Sequence, residues 1–372
     1  MTSPDAAVDL LESLVRIPSV SGDEAAASAH LVTWMAQHGA SRAFVDGAGN
    51  AVGVWGHGPR QLVLLGHIDT VGGFPTVRRD GDLLYGRGTV DAKGPLCAFA
   101  AAASMAAVPD GWQVVVIGAV EEECPTSAGA HFAIGQYAPD LCVIGEPSRW
   151  DRLTLGYKGR LIADVTLTCP HSHSAGQSAT AAEAAFAVWR DVSDYANRIN
   201  DGRARVFDQL DAALMRINTA DDGLTQTASL SLGFRLPPPA DPHTLERDLR
   251  DLIAASTPDA AAVDLRFSSH TPAFTAERDH TLSRLLRAAI RAEGGTPAFV
   301  MKTGTSDMNL AGPAWNCPIL AYGPGDSALD HTPNEHIDLN EYRRAIRILT
   351  HTLNALPREL SVQPASETPY AL

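Results

Sequence analysis

The sequence predicts an α/β protein in which a mixed, largely parallel sheet is flanked by helices and interrupted by an inserted α+β unit. Three uninterrupted apolar runs, at residues 62–65, 114–120 and 141–144, predict strands at 61–65, 113–120 and 141–144 that are buried on both faces. Segments with helical periodicity alternate with these runs, which indicates strand–helix layers. Between residues 158 and 271 the strands instead alternate apolar and polar residues, which indicates a second sheet with one exposed face.

Caps and apolar spacing predict the elements that precede the insertion. Ser3 followed by Pro4 is a typical helix start, because the serine caps the helix and proline suits its first position. Gly39 suits the end of the next helix, since glycine adopts the left-handed conformation found there. The predicted elements are a helix from Ser3 through Val15, a helix at 23–38, strands at 43–45 and 51–55, and an alanine-rich helix at 95–108.

The same two periodicities predict the remaining elements. Pro237-Pro238-Pro239 ends a strand of the inserted unit. After Pro272 the alternation of helices and short apolar strands that precedes the insertion resumes. We therefore expect a discontinuous domain of residues 1–157 and 272–372, and an inserted domain of residues 158–271. The predicted elements are strands at 160–169, 226–236, 262–267, 298–301 and 319–322, and helices at 178–200, 245–255, 282–293 and 342–356.

The composition argues against several classes of protein. A net charge of −14 over 372 residues disfavours general binding to nucleic acids or to anionic membranes. The five cysteines form no CxxC pair, which favours free thiols in a reducing, cytoplasmic setting. The N-terminus lacks the basic and apolar regions of a signal peptide, and no apolar run reaches the roughly 18 residues of a membrane span.

Acidic residues and histidines recur in short signatures, most of which follow a predicted strand. The carboxyl ends of strands are the places where α/β sheets build active sites. Histidines together with several carboxylates are the donors that a pair of zinc-like ions requires. The candidate residues are His67, Asp69, Asp91, Glu121, Glu122, Glu123, Glu146 and His331.

The residue types suggest a division of roles. Asp91, a short side chain on a glycine-rich loop, suits a carboxylate that bridges two ions. His67 and His331 offer imidazoles, and Glu146 offers a terminal carboxylate. One glutamate of the triplet 121–123 offers another carboxylate, and a second remains as a base. An aspartate two residues after the first histidine is placed to orient that imidazole through its other nitrogen.

Other interpretations of these residues are weaker. Three consecutive glutamates are compatible with a solvated turn, but directly after a buried strand at least one would face inward, which is costly without a cation. The sequence lacks a Gly-x-x-x-x-Gly-Lys-Ser/Thr phosphate loop and a Gly-x-Ser-x-Gly nucleophile elbow. Only three of the 29 basic residues are lysines, and we expect Lys93 and Lys302 to lie near the site.

These signatures resemble the motifs of the dinuclear-zinc amidohydrolase and exopeptidase family. That family includes aminoacylase, acetylornithine deacetylase, succinyl-diaminopimelate desuccinylase and glutamate carboxypeptidases. The resemblance covers nearly the whole chain and implies a zinc-exopeptidase-like catalytic domain with two Zn²⁺ ions, for which Co²⁺ can substitute. It implies that His67 and Glu146 bind one ion. Glu123 and His331 would bind the other ion, and Asp91 would bridge the two.

The resemblance also implies catalytic residues. Glu122 would be the general base, and Asp69 would support the imidazole of the first signature. Many relatives read Asp-Glu-Glu where this chain has three glutamates, so the alternative register makes Glu121 the base and Glu122 the ligand. His336 is the alternative to the histidine ligand of the last signature. A cis peptide bond is expected directly after Asp91.

Further residues match the substrate-binding and dimerisation features of the family. In relatives the inserted domain forms a homodimer and lends a histidine to the partner's site, and His173 matches that histidine. Its role would be to donate a hydrogen bond to the oxyanion. Arg235 matches a residue that binds a substrate carboxylate. Residues 304–307, Gly-Thr-Ser-Asp, match a substrate-binding loop, and the substrate-binding candidates here are Lys302, Thr303 and Gly304.

Within this family the motifs are similar to those of hydrolases of lysine and arginine biosynthesis. Those enzymes release lysine, and sometimes ornithine, from the terminal glutamate of a small acidic amino-group carrier protein. Met308-Asn309 replaces the Gly-Arg of the desuccinylases, which argues against a succinyl substrate. The alternatives are a small-molecule deacylase of acetylornithine or acetyllysine and, more remotely, a metal-free binding protein. An acidic carrier would favour a basic rim, for which the candidates are Arg78, Arg79, Arg87, Arg149, Arg152 and Arg160.

Overall fold

A computed structural model describes residues 3–173, 176, 178–259 and 261–357; the C-terminal part of the predicted first domain, residues 358–372, lies outside them. Among the described residues no helix is long and apolar enough to cross a membrane. The helices are α1 (Pro4–Val15), α2 (Ala25–Gln37), α3 (Lys93–Met105), α4 (Ala128–Gln136), α5 (Ala181–Asn200), α6 (Pro242–Ser256), α7 (Thr281–Ala292), α8 (Met308–Trp315) and α9 (Leu339–Asn354). The strands are β1 (Arg42–Val45), β2 (Ala51–Gly56), β3 (Arg60–His67), β4 (Arg78–Asp80), β5 (Leu83–Tyr85), β6 (Trp112–Ala119), β7 (Leu141–Gly145), β8 (Arg152–Tyr157), β9 (Gly159–Pro170), β10 (Asp211–Asp221), β11 (Thr225–Leu236), β12 (Ala262–Thr271), β13 (Phe274–Thr275), β14 (Ala298–Lys302), β15 (Ile319–Ala321) and β16 (His336–Asp338).

The largest sheet has nine strands and contains the three apolar runs of the sequence. Its order is β1-β2-β6-β3-β7-β15-β8-β13, and β14 pairs with β8 beside this path. β3 lies parallel to both β6 and β7, whereas β1 and β2 form an antiparallel margin. Two separate apolar clusters, one on each face, bury these strands as their uninterrupted apolar residues predict. The mixed, largely parallel sheet with helices packed on it confirms the predicted fold class.

The position of β3 between β6 and β7 brings three signatures together. The register pairs His67 with Ala119 of β6, and Gly66 with Gly145 of β7. Glu122 and Glu123 after β6, and Glu146 after β7, therefore emerge beside the imidazole at the end of β3. This is the edge of a parallel sheet at which α/β proteins commonly build their sites.

A second sheet of four antiparallel strands, in the order β10-β11-β9-β12, has a hydrophobic core of its own. Buried residues of α5 and α6 pack with alternate residues of β9 and β11 to form that core. The sequence predicted three of these strands and missed β10. β10 is an edge strand whose residues are mostly exposed, so its sequence shows no apolar alternation.

A small third sheet, in the order β16-β5-β4, holds two distant signatures against each other. His336 of β16 pairs with Tyr85 of β5. One residue earlier, the Glu335 carbonyl accepts a hydrogen bond of 3.1 Å from the N–H of Gly86. The glycine-rich loop that follows β5 is therefore fixed beside the segment that carries His331.

Candidate metal centre

A cavity of about 530 Å³ lies at the carboxyl ends of the large sheet's strands, where the second sheet closes over them. Residues of both sheets form its wall. Arg160, Arg235, Ser269 and Thr271 contribute from the second sheet. The predicted candidates that line the cavity are Asp91, Glu122, Glu123, Glu146, His331, Arg235, Lys302, Thr303 and Gly304.

The Asp91 carboxylate lies between two histidines. Its Oδ1 is 3.2 Å from Nε2 of His67, and its Oδ2 is 3.0 Å from Nε2 of His331. The Asp91–Ala92 peptide bond is cis, as expected from the motif. A carboxylate that presents one oxygen to each of two imidazoles has the arrangement that a bridge between two metal ions requires.

Two glutamates complete this group. Oε1 of Glu123 is 2.9 Å from Nε2 of His331, and Oε2 of Glu122 is 4.0 Å from Nε2 of His67. Donor atoms of His67, Asp91 and Glu123 all lie within 4.8 Å of one another. The group thus offers convergent nitrogen and oxygen donors on both sides of Asp91.

Asp69 holds both the first histidine and the backbone of the glutamate triplet. Its carboxylate accepts hydrogen bonds from the N–H groups of Glu122 at 3.1 Å and Glu123 at 3.0 Å, and from Oγ of Ser21 at 2.8 Å. Nδ1 of His67 is 3.1 Å from the Asp69 carbonyl oxygen and 3.4 Å from its carboxylate. A proton donated from Nδ1 leaves Nε2 available to a cation. The sequence predicted that Asp69 supports His67. It did not predict the hydrogen bonds from the backbone of Glu122 and Glu123 to Asp69.

Glu121 is directed away from this group. It adopts a positive φ of 60°, and its carboxylate accepts a hydrogen bond from Oγ1 of Thr126. Glu122 and Glu123 line the cavity, whereas Glu121 does not. His336, on β16, does not line the cavity either. This placement favours Glu122 and Glu123, rather than the alternative register, as the functional pair.

Carboxyl groups crowd the centre. Burial, together with nearby carboxylates, raises the pKa of Glu122 and of Glu146 well above the usual range. Burial and the Asp91 carboxylate raise the pKa of Asp330 to about 9, and Oδ1 of Asp330 has no hydrogen-bond partner among the described residues. Hydrogen bonds to two carboxylates raise the pKa of His331 to about 10. Bound cations stabilise such a cluster, and its imidazoles suit zinc-like ions, so these residues fit a metal pair.

Glu335 holds the loop that carries Asp91. Its fully buried carboxylate accepts hydrogen bonds of 2.9–3.2 Å from the N–H groups of Gly88, Val90 and Asp91. Nη1 of Arg87 donates to the other carboxylate oxygen at 2.6 Å. Arg87 is buried as well, so its place in the predicted basic rim is wrong. Glu335 was not among the candidate residues drawn from the sequence, although it is an acidic residue in the same signature as His331.

We expect Arg87→Met to destabilise the fold by about 3–5 kcal/mol, because it leaves a buried carboxylate without its countercharge. The matched control is Arg79→Met. Arg79 pairs with Glu12 at 2.5 Å, but its side chain is 41% exposed. Loss of this exposed ion pair should lower the free energy of unfolding by at most about 1 kcal/mol. Urea unfolding of both variants measures the difference, and equal free energies of unfolding would contradict the account.

The lysines fit the prediction only in part. Lys93 is buried, and its Nζ donates to the carbonyl oxygens of Leu14 at 3.1 Å and Ile17 at 2.7 Å. It therefore ties α3 to the end of α1. Lys93 lies near Asp69 and Glu335, as expected, but it does not line the cavity. Lys302 lines the cavity and donates a hydrogen bond to Oγ of Ser327.

Two arginines of the second sheet face the cavity side by side. Arg160 and Arg235 are directly paired across β9 and β11, and both line the cavity. Nη1 of Arg235 donates to Oγ1 of Thr305 at 2.7 Å. Burial, assisted by the Arg160 guanidinium, lowers the pKa of Arg235. Like charges directly opposite each other on paired strands are unfavourable alone, which indicates a site for an anion.

Other predicted residues do not line the cavity. His173 follows β9 and is exposed, outside the cavity lining of its own chain; its motif neighbours 174 and 175 lie outside the described residues. Among the rim arginines, Arg79, Arg149 and Arg152 form ion pairs within the chain. Of the predicted rim, Arg160 lines the cavity itself.

Comparisons with known proteins agree with this arrangement. Residues 63–355 match peptidase family M20/M25/M40. LysW-lysine hydrolase of Deinococcus radiodurans is 47% identical over 363 residues, covering 95% of this chain and 98% of that protein. The M20 family metallo-carboxypeptidase Sso-CP2 of Sulfolobus solfataricus has a similar fold, with a TM-score of 0.76 and 15% identity over 94% of this chain and 98% of that one. YxeP of Bacillus subtilis, a dinuclear metal-binding peptidase from the M20 family, gives a TM-score of 0.67 and 12% identity over 94% and 97%. The resemblance seen in the motifs is therefore confirmed: the chain belongs to peptidase family M20/M25/M40.

Proposed function

We propose that this chain is a cytoplasmic, metal-dependent amidohydrolase that releases lysine or ornithine from the terminal glutamate of an acidic amino-group carrier protein. The observation that carries the proposal is the Asp91 carboxylate between two histidines, with Glu122 beside them. The 47% identity to LysW-lysine hydrolase over nearly the full length of both chains supports the choice of substrate.

The donor set favours two Zn²⁺ ions, with Co²⁺ as a substitute. His67 and Glu146 would hold one ion. Glu123 and His331 would hold the other, and Asp91 would contact both. Imidazole donors favour these metals over Mg²⁺ and Ca²⁺, which prefer oxygen ligands alone. When bound, the ions supply Lewis acidity toward the amide carbonyl and toward water.

The protein's own residues manage the protons and the developing charge. Glu122 takes a proton from the attacking water and passes it to the nitrogen of the leaving amine. Asp69 supports this step because it fixes the Glu122 backbone and the His67 ring. His173 of a second copy donates a hydrogen bond to the carbonyl oxygen as negative charge develops there.

Charges in the cavity match those of a lysine linked to a C-terminal glutamate. Such a substrate carries two carboxylates and one ammonium near the scissile amide. Arg160 and Arg235 form a paired cationic site for one carboxylate, and Lys302 offers a further cation. Asp330 lines the same cavity and supplies a carboxyl group for the ammonium.

Exposed apolar residues of the second sheet support a homodimer. Met215 and Ile217 lie on the edge strand β10, where they are 52% and 46% exposed. Leu224, 80% exposed, follows in the turn to β11, and Phe186 of α5 is 68% exposed. An edge strand with exposed apolar side chains is a ready surface for a second copy of the chain.

Metal removal tests the proposed chemistry. After dialysis against a chelator, release of lysine from the aminoacylated carrier should fall by at least about 100-fold, because the Lewis acid is lost. Added Zn²⁺ or Co²⁺ should restore it, while Mg²⁺ should not. Circular dichroism before and after dialysis serves as the control for folding. Full activity in a sample shown to be free of transition metals would contradict the proposal.

A further inference from the structure

A second group of potential metal ligands lies outside the cavity, between α6 and β12. His243, the second residue of α6, and Glu246 are three residues apart, so they lie on the same face of the helix. His270 of β12 approaches this face, and its Nε2 is 2.5 Å from Oε2 of Glu246. The rings of His243 and His270 stack with centroids 4.7 Å apart. The donor atoms of all three residues lie within 4.8 Å of one another.

An irregularity in β12 accompanies this approach of His270 to α6. The pairing of β12 with β9 shifts register between Ser268 and Thr271, and Ser269 has a positive φ of 58°. Ser269 and Thr271 line the catalytic cavity, whereas His270 between them contacts α6. The histidine and glutamate group therefore lies directly behind the cavity wall, on the opposite side of the strand.

Hydrogen bonds from Arg250 orient the Glu246 carboxylate so that it can act as a metal ligand. Arg250, one helical turn after Glu246, donates two hydrogen bonds, of 2.9 and 2.6 Å, to Oε1. These bonds fix the carboxylate and leave Oε2 directed toward the histidine, which is how an outer partner orients a metal-binding carboxylate. Glu246 and His270 are mostly buried, with side chains 19% and 26% exposed, while His243 is exposed. An ion can thus enter from solvent and keep a water as its fourth ligand.

We propose that His243, Glu246 and His270 form a separate site for Zn²⁺ or a similar transition-metal ion. Two imidazoles and one carboxylate are a recurrent zinc donor set that leaves one coordination position open. An ion bound here would join α6 to the edge strand β12. It would thereby stabilise the part of the cavity wall that Ser269 and Thr271 form. This site involves none of the residues of the metal centre described above.

Zinc content per chain tests the proposal. The full-length protein is incubated with Zn²⁺, passed through gel filtration in zinc-free buffer, and analysed by mass spectrometry for metal. His243→Ala should retain one zinc ion per chain fewer than the wild type. His243 is exposed, so its loss should not affect folding. His131→Ala, at an exposed helical position, is the control and should retain the wild-type amount.

A second variant and a second readout keep the test independent of catalysis. His270→Gln should lose the same ion, and added zinc should raise the melting temperature of the wild type more than that of either variant, because ligand binding to the native state stabilises it. Equal zinc content in the wild type and both variants would overturn the proposal. Loss of the same ion from the His131 variant would also overturn it. Neither readout depends on the substrate proposed for the cavity.

Discussion

Replacing Glu122 with glutamine is expected to lower kcat by about 10²–10⁴-fold, the contribution typical of a positioned general base. The amide is similar in shape to the carboxylate but cannot accept the proton of the attacking water. The backbone N–H of residue 122 donates to Asp69 in both proteins, so the turn should remain in place. Steady-state kinetics with carrier-linked lysine, together with metal analysis, measures the effect. Metal content should remain at the wild-type value.

Two neighbouring substitutions serve as controls for Glu122→Gln. Glu121→Gln should keep near-normal kcat, because the Glu121 carboxylate binds Thr126 outside the cavity. Glu123→Gln should lose metal as well as activity, since this carboxylate contacts His331. If Glu121→Gln were the inactive variant that retains metal, the alternative register would be correct and our assignment of the base wrong.

Two inactive variants are expected to restore activity when they are mixed. In a homodimer with a shared site, a chain with Glu122→Gln can still lend its His173 to a partner chain whose own His173 has been replaced by alanine. After random exchange of subunits in a two-fold dimer, about one quarter of all sites would be complete. Mixing after mild dissociation and reassembly, followed by measurement of lysine release, gives the result. Activity near one quarter of the wild-type value supports sharing of the site.

The control for this mixture uses two variants whose changes fall in the same centre. Glu122→Gln mixed with His331→Ala leaves every site with one defect, because both residues line the cavity of their own chain. This mixture should stay inactive. If the mixture of Glu122→Gln with the His173 variant also stayed inactive, the two chains would not share a site. The proposed role of the dimer would then be wrong.

Part of the candidate metal centre could be predicted because several of its residues follow strands with a clear sequence pattern. β3, β6 and β7 each contain an uninterrupted apolar run, and their parallel pairing places their carboxyl ends at one edge of the sheet. The ionisable residues that follow these runs within three positions, His67, Glu122, Glu123 and Glu146, could therefore be assigned to the same region. Asp91 and His331 could not be placed by this argument, since both lie on loops, and their assignment depended on the resemblance to the family.

Residues whose partners are distant in sequence could not be predicted. Arg87 is a basic residue on a glycine-rich loop, and only the contact with Glu335, 248 positions later, shows that it is buried. The contacts of Lys93 could not be predicted either, because its partners are backbone carbonyl oxygens, which any residue could supply. The pairing of Arg160 with Arg235 likewise depends on the register between β9 and β11. Local patterns contain no information about such contacts.

The most direct test of the proposed function compares amine release from four substrates by the zinc-loaded enzyme. These are aminoacylated carrier protein, acetyl-lysine, acetylornithine and succinyl-diaminopimelate. We predict that kcat/KM for carrier-linked lysine exceeds that for each free acyl compound by at least about 100-fold, as expected when one substrate satisfies polar groups that the others leave unpaired. A higher kcat/KM for a free acyl amino acid would contradict the account and identify a small-molecule deacylase with the same metal centre.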